Sequence, residues 1–240
     1  MTVLIMLYHC MMGSYDGLYL PMMIIGYVFA APFFLLTVKT SQKHGQKRSL
    51  MTYVAVALVC YVAVSVLLLL WQPGDPSLQL SLQNINLYTI LFILFFGTGY
   101  GAYYATADMP IPMVADCADY ETYCSGKFIP GIMGTLFSLV DKLVSSLSGT
   151  IVGLAVGIIG LNSLPTKATS YTPGMNYVVL ALFCGVPMLA WAATLIAMRG
   201  YSLTGKRMQV IHKVNAARKE AVSKGMSLEE AMEKITDETV

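Results

Sequence analysis

The stretch SLMTYVAVALVCYVAVSVLLLLW, Ser49–Trp71, decides the class of fold: it runs for 23 residues without a charged side chain. A helix rises about 1.5 Å per residue, so about 20 apolar residues cross a hydrocarbon core of about 30 Å. Inside that core every backbone N–H and C=O must find its partner in the protein, which a helix achieves within the segment itself. Four further stretches reach the same length, Gly17–Val38, Ile85–Ala107, Ile129–Leu161 and Asn176–Met198. Of the five, only Ile129–Leu161 holds charges, Asp141 and Lys142. A sixth apolar piece, Thr2–Met12, is too short to cross and reads as the cut end of a span. The expectation is an all-α polytopic membrane protein. Its parts would be a truncated helix end over 1–12, a five-span bundle over 13–199 and a charged helical tail over 200–240.

The composition agrees. Only 12% of the 240 residues are charged and 56% are hydrophobic, against about 25% charged in soluble domains. Residues 200–240 hold 13 of the 28 charges, so the first 199 cannot clothe a water-soluble surface. That excludes a soluble enzyme, a nucleic-acid binder and a disordered chain, and a net charge of +2 points to no polyanionic partner. The five cysteines have neither the even count of a disulfide framework nor metal-ligand spacing. Counted loop by loop, 13 Lys and Arg fall on one side of the spans and 1, Lys167, on the other. The positive-inside rule puts the heavy side, with the C-terminus, in the cytoplasm of a cell-membrane protein.

Proline and glycine punctuate the spans. Pro32 and Pro187 are expected to bend theirs. Gly97 with Gly101, and Gly149 with Gly153 and Gly157, have the spacing that lets membrane helices approach closely. In the tail, Ser227-Leu-Glu-Glu230 reads as a capping box opening a short last helix. The basic part before it, Lys206 to Lys219, reads as a solvated helix, with contact to anionic lipid headgroups as the alternative.

Candidate chemistry concentrates between Asp108 and Gly157. On a 3.6-residue helix, Gly131, Thr135, Ser138, Lys142, Ser145, Gly149 and Gly153 share one small, polar stripe. Such a stripe cannot face lipid cheaply, and an ammonium near mid-membrane costs about 2.5–3.5 kcal/mol on insertion scales. Lys142 therefore calls for a partner or a task, whereas Asp141, some 100° away around the helix, pairs with another element or stays structural. Upstream, Asp116, Asp119 and Glu121 place three acids in six residues beside Tyr120 on the otherwise basic side. Pro110, Pro112 and Pro130 bracket that segment as a short irregular or interfacial connection. One reading makes the acids a Mg²⁺ site for a diphosphate, as in a membrane prenyltransferase. Another has them cap helix N-termini or bridge to basic residues of facing loops, holding one state of a moving bundle, with Lys39, Lys43, Lys47 and Arg48 as a basic loop on the same side. A third leaves a membrane scaffold without transport. No hydrolase, kinase or metalloprotease motif is present, and neither a catalytic set nor a bound metal or cofactor is expected.

Ala115-Asp-Cys-Ala-Asp-Tyr-Glu121, with a lysine 23 residues beyond Asp119, resembles the glycoside–pentoside–hexuronide:cation symporters, the melibiose-carrier family of the major facilitator superfamily. The basic turn from Lys39 to Arg48 is similar to that superfamily's turn between the eighth and ninth helices. The resemblance covers roughly residues 1–200 and implies helices seven to twelve of a twelve-helix sugar:cation symporter, the first cut short. It implies sugar bound between two halves, Lys142 at or beside the central site with Ser138 and Ser145 as secondary groups, and Asp116, Asp119, Tyr120 and Glu121 as cytoplasmic gate. The family's tryptophan before the acidic motif falls at Ala107, with Tyr103 and Tyr104 about a turn earlier, and Tyr104 is the one expected to line the cavity. The coupling cation, Na⁺ or H⁺, is implied to bind mainly to the N-terminal half, the partner of this one alongside the sugar and the lipid bilayer.

Overall fold

The computed structural model describes residues 1–237 and 239; Glu238 and Val240, in the tail, lie outside the described residues. Five helices are long and apolar enough to cross a membrane: α2 (Tyr15–His44), α3 (Gln46–Leu70), α4 (Leu87–Tyr104), α6 (Pro130–Ile158) and α7 (Met175–Ala197). Before them comes the short α1 (Thr2–Met11). Between α4 and α6 lies α5 (Pro110–Ser125), and the tail forms α8 (Gly205–Ser223) and α9 (Leu228–Lys234). The five spans and α1 follow the chain as apolar runs. Ser14 caps α2 by accepting from Gly17 N, Asn86 caps α4 by accepting from Thr89 N at 2.7 Å, and Gly45, at φ +86°, makes the sharp break between α2 and α3.

Helices α2, α3 and α4 pack on one another, and α7 packs on α3. The two glycines of α4 allow the close approach. A methyl at Gly97 would fall 2.8 Å from the Phe29 ring, and one at Gly101 would fall 2.8 Å from the Phe29 backbone carbon. The short α1 is no loose stub: Met6, Leu7 and Tyr8 are almost wholly buried at the centre of the core. Around Pro187 the last span widens into π-helical turns over Leu180–Gly185. The proline lacks an N–H and its ring crowds the carbonyl of Phe183, so the turn before it opens. Both Pro21 and Pro32 stay inside an unbroken α2.

Two expectations are corrected. The segment bracketed by Pro110, Pro112 and Pro130 is no irregular connection but the regular helix α5. Pro110 and Pro112 sit in its first turn, where the backbone N–H groups have no intrahelical acceptor to lose. Nor is the tail a plain solvated helix. It carries Met208, Ile211, Val214 and Arg218 on one stripe, and all four are buried where α8 packs on α5.

Helix α6 is the exception in the bundle. Every residue from Gly134 to Ile151 is exposed, and the helix meets α5 at one end and α7 at the other.

Candidate functional site

An aromatic cleft of about 410 Å³ opens inside the membrane bundle, walled by α1, α2, α3, α4 and α7. Tyr8, Tyr61, Tyr100, Tyr103 and Trp191 line it, with Met22 and Pro187 among the apolar groups between them. Tyr61 is the hub: its ring meets Trp191 edge-on at 4.8 Å and lies against Phe183 at 6.0 Å. Tyr103 reaches the other side of Trp191 at 5.5 Å. Such a wall presents flat π faces together with phenolic and indole polar groups, and no charged side chain lines it among the described residues.

Tyr104 turns elsewhere. It stacks on Tyr100 at 5.7 Å and packs against Tyr27 and Phe34, while its neighbour Tyr103 lines the cleft. On α6, Ser138, Asp141, Lys142 and Ser145 are all exposed, and the structure brings none of them to the cleft. Gly149, Gly153 and Gly157 on the same helix meet nothing within 4 Å, in contrast to Gly97 and Gly101.

At the basic end of the bundle a second cleft, of about 570 Å³, separates the α2–α3 turn from the start of α8. Asp116 lines it together with Lys43, His44 and Arg48. Among the described residues no acid pairs with that turn, and Lys47 donates to the Tyr201 and Arg199 carbonyls. Asp119 faces the tail, 3.5 Å from His212 Nδ1, and its backbone carbonyl accepts from Asn215 Nδ2 at 2.9 Å. Burial holds the Asp116 carboxyl above the ordinary carboxylate range; His212 pulls it down and Asp119 adds to the rise. Lys39 lies on the last turns of α2, exposed and outside this cleft, as is Glu121 on α5, half-buried. Tyr120 stacks on Tyr123 at 6.3 Å.

Next to the acids the tail is fastened by one buried cation. Arg218, 8% exposed, donates to the Tyr123 carbonyl at 2.6 Å and to the Ile235 carbonyl at 3.0 Å. Tyr123 is in the last turn of α5 and Ile235 directly follows α9, so a single guanidinium closes two helix C-termini, where a positive charge is favoured. Arg207 and Arg218 also flank the Tyr123 ring, each 5.2 Å from its centroid, and Arg207 pairs with Asp237.

The sequence singled out the acids and the basic turn, but not Tyr8, Tyr61 and Trp191. Their signal was available only as aromatics in charge-free spans, and these are more often plain core.

Comparison with known proteins gives the arrangement a family. Residues 4–205 match the family model described as MFS/sugar transport protein. The chain is 35% identical over 123 residues to the "Uncharacterized 29.9 kDa protein in crtE 3'region" of Pseudescherichia vulneris, which covers 51% of this chain and 43% of that one. It is 26% identical over 170 residues to the "Putative glycoside/cation symporter YagG" of Escherichia coli (strain K12), covering 69% of this chain and 33% of that one. The chain thus matches less than half the length of either relative. No solved structure matches it. With five apolar spans and a family match across most of its length, the chain is a multi-pass membrane protein of the MFS/sugar transport family, a family of transporters rather than enzymes.

Proposed function

We propose that this chain is the C-terminal part of a sugar:cation symporter of the cell membrane that works by alternating access, with its C-terminus in the cytoplasm. The observation that carries the reading is the aromatic cleft within the bundle. One face of a pyranose is rich in C–H groups and stacks on aromatic rings, while its hydroxyls pair with phenolic and indole groups. Tyr61, Tyr103 and Trp191 offer both. The second support is α6. Its polar stripe, with Ser138, Lys142 and Ser145, lies on a span that has no neighbour over 18 residues. A lysine at that depth is tolerated where it faces protein or water. In the complete transporter that stripe faces the N-terminal half and the substrate path between the halves. Asp141 then meets a group of that half, and the coupling cation, Na⁺ or H⁺, binds there too. Asp116, Asp119, Tyr120 and Glu121 of α5 form the gate with the basic turn and the tail, Asp116 beside the turn and Asp119 beside His212.

The test is uptake of labelled sugars by cells carrying the complete transporter. Tyr61→Ala and Trp191→Ala are expected to raise the half-saturating sugar concentration about tenfold, the scale of one lost stacking pair. Lys142→Ala is expected to abolish uptake while leaving the protein in the membrane. Wild-type uptake in all three variants would overturn the reading. Uptake that follows an imposed Na⁺ gradient, or instead a pH gradient, identifies the coupling ion.

A further inference from the structure

At the basic end, basic side chains outnumber the carboxylates beside them. The 570 Å³ cleft there is lined by Lys43, His44, Arg48, Lys206 and His212, with Asp116 as its one acid among the described residues. Lys43, Arg48 and Lys206 enter no ion pair among those residues. These cations come from two segments far apart in sequence, and two glycines bring them together: a methyl at Gly45 would fall 2.8 Å from the Gly205 nitrogen. Glycine at both positions permits this close approach, which sets the two cationic segments face to face. Helix α3 begins at this point without a side-chain cap, which leaves its first N–H groups with no side-chain acceptor. One to two turns below the cleft, Leu35, Leu36 and Val38 of α2 are exposed, as they would be along a lipid acyl chain.

We propose that this cleft binds a phosphate-bearing group, and that in the membrane the group is the headgroup of an anionic phospholipid whose chains run down the apolar face of α2. A phosphodiester matches the chemistry of the site: one compact anion, several oxygen acceptors, and donors converging from a turn and a helix start. The site shares Asp116 and the basic turn with the gate proposed above but no residue of the aromatic cleft, so lipid binding is read out apart from sugar uptake.

The experiment is native mass spectrometry of the full chain in an uncharged detergent, titrated with dioctanoyl phosphatidylglycerol, dioctanoyl phosphatidylcholine or inorganic phosphate. Phosphatidylglycerol is expected to bind at least about tenfold more tightly than phosphatidylcholine, with each neutralised cation in Arg48→Gln and Lys206→Gln costing about fivefold. Asp116→Asn is expected to tighten binding, an effect of opposite sign that misfolding does not produce. Lys167→Gln, outside the cleft, leaves it unchanged. Equal binding of the two lipids, undiminished phosphatidylglycerol binding in the double variant, or weaker binding in Asp116→Asn would each overturn the proposal. Inorganic phosphate binding as tightly as the lipid would retain the phosphate chemistry and overturn the lipid as its source.

Discussion

Arg218 shows how much one buried side chain can hold. Its guanidinium fills carbonyls that the ends of α5 and α9 leave over, and it lies against Tyr123. Arg218→Met keeps much of the packing and removes the donors, leaving those carbonyls without partners at a cost of about 2 kcal/mol. The expected outcome is a tail that exchanges its amide hydrogens faster over Leu228–Lys234 while α2–α4 keep their protection. Asp116 gives a pH signature. Its carboxyl titrates above the usual range because burial disfavours the charge. The folded state therefore holds a proton that the unfolded chain has already released. Within that window, which begins near the ordinary value of about 3.9, stability contributed by this group falls as pH rises. Asp116→Asn should flatten the dependence of the melting temperature on pH between about 4 and the raised value, and a slope unchanged from wild type would contradict this.

Glycine spacing has opposite meanings in two spans. In α4 it meets a neighbour; Gly101→Leu would drive a side chain into the Phe29 backbone and is expected to cost about 1–3 kcal/mol or more, seen as a lower melting temperature in detergent. In α6 the same spacing meets open space, so Gly149→Leu should leave that melting temperature unchanged. The contrast was not legible in sequence, because GxxxG reports that a helix can be approached and not that anything approaches. The helices themselves were legible. The apolar runs ending at Val38, Trp71, Ala107, Leu161 and Met198 correspond to α2, α3, α4, α6 and α7, with ends displaced by a few residues. Helix α5 was missed because its prolines were read as breakers, although in a first turn they break nothing.

At the scale of the molecule, the tail and the bundle are joined through α5. Leu203, Met208 and Ile211 of the tail form a small core with Cys117, Tyr123 and Tyr201. Removal of residues 204–240 is expected to expose that core and the Arg218 sites on α5, so limited proteolysis should cut within Pro110–Ser125 in the shortened chain and not in the full one. The acids of α5 are shared between the turn and the tail, Asp116 lining the cleft beside the turn and Asp119 lying beside His212. What the sequence determined by itself is everything governed by local solvation: which segments enter the bilayer, how the positive charges are distributed between loops, and that Lys142 lies on a polar stripe. These follow from hydropathy and backbone pairing, which each segment settles alone. Only the tertiary structure decided that Tyr8, Tyr61, Tyr103 and Trp191 meet in one cleft while Tyr104 turns aside, and that α8 docks on α5. Those depend on how each helix is rotated about its axis, which close packing such as that of Gly97 and Gly101 on Phe29 sets between helices.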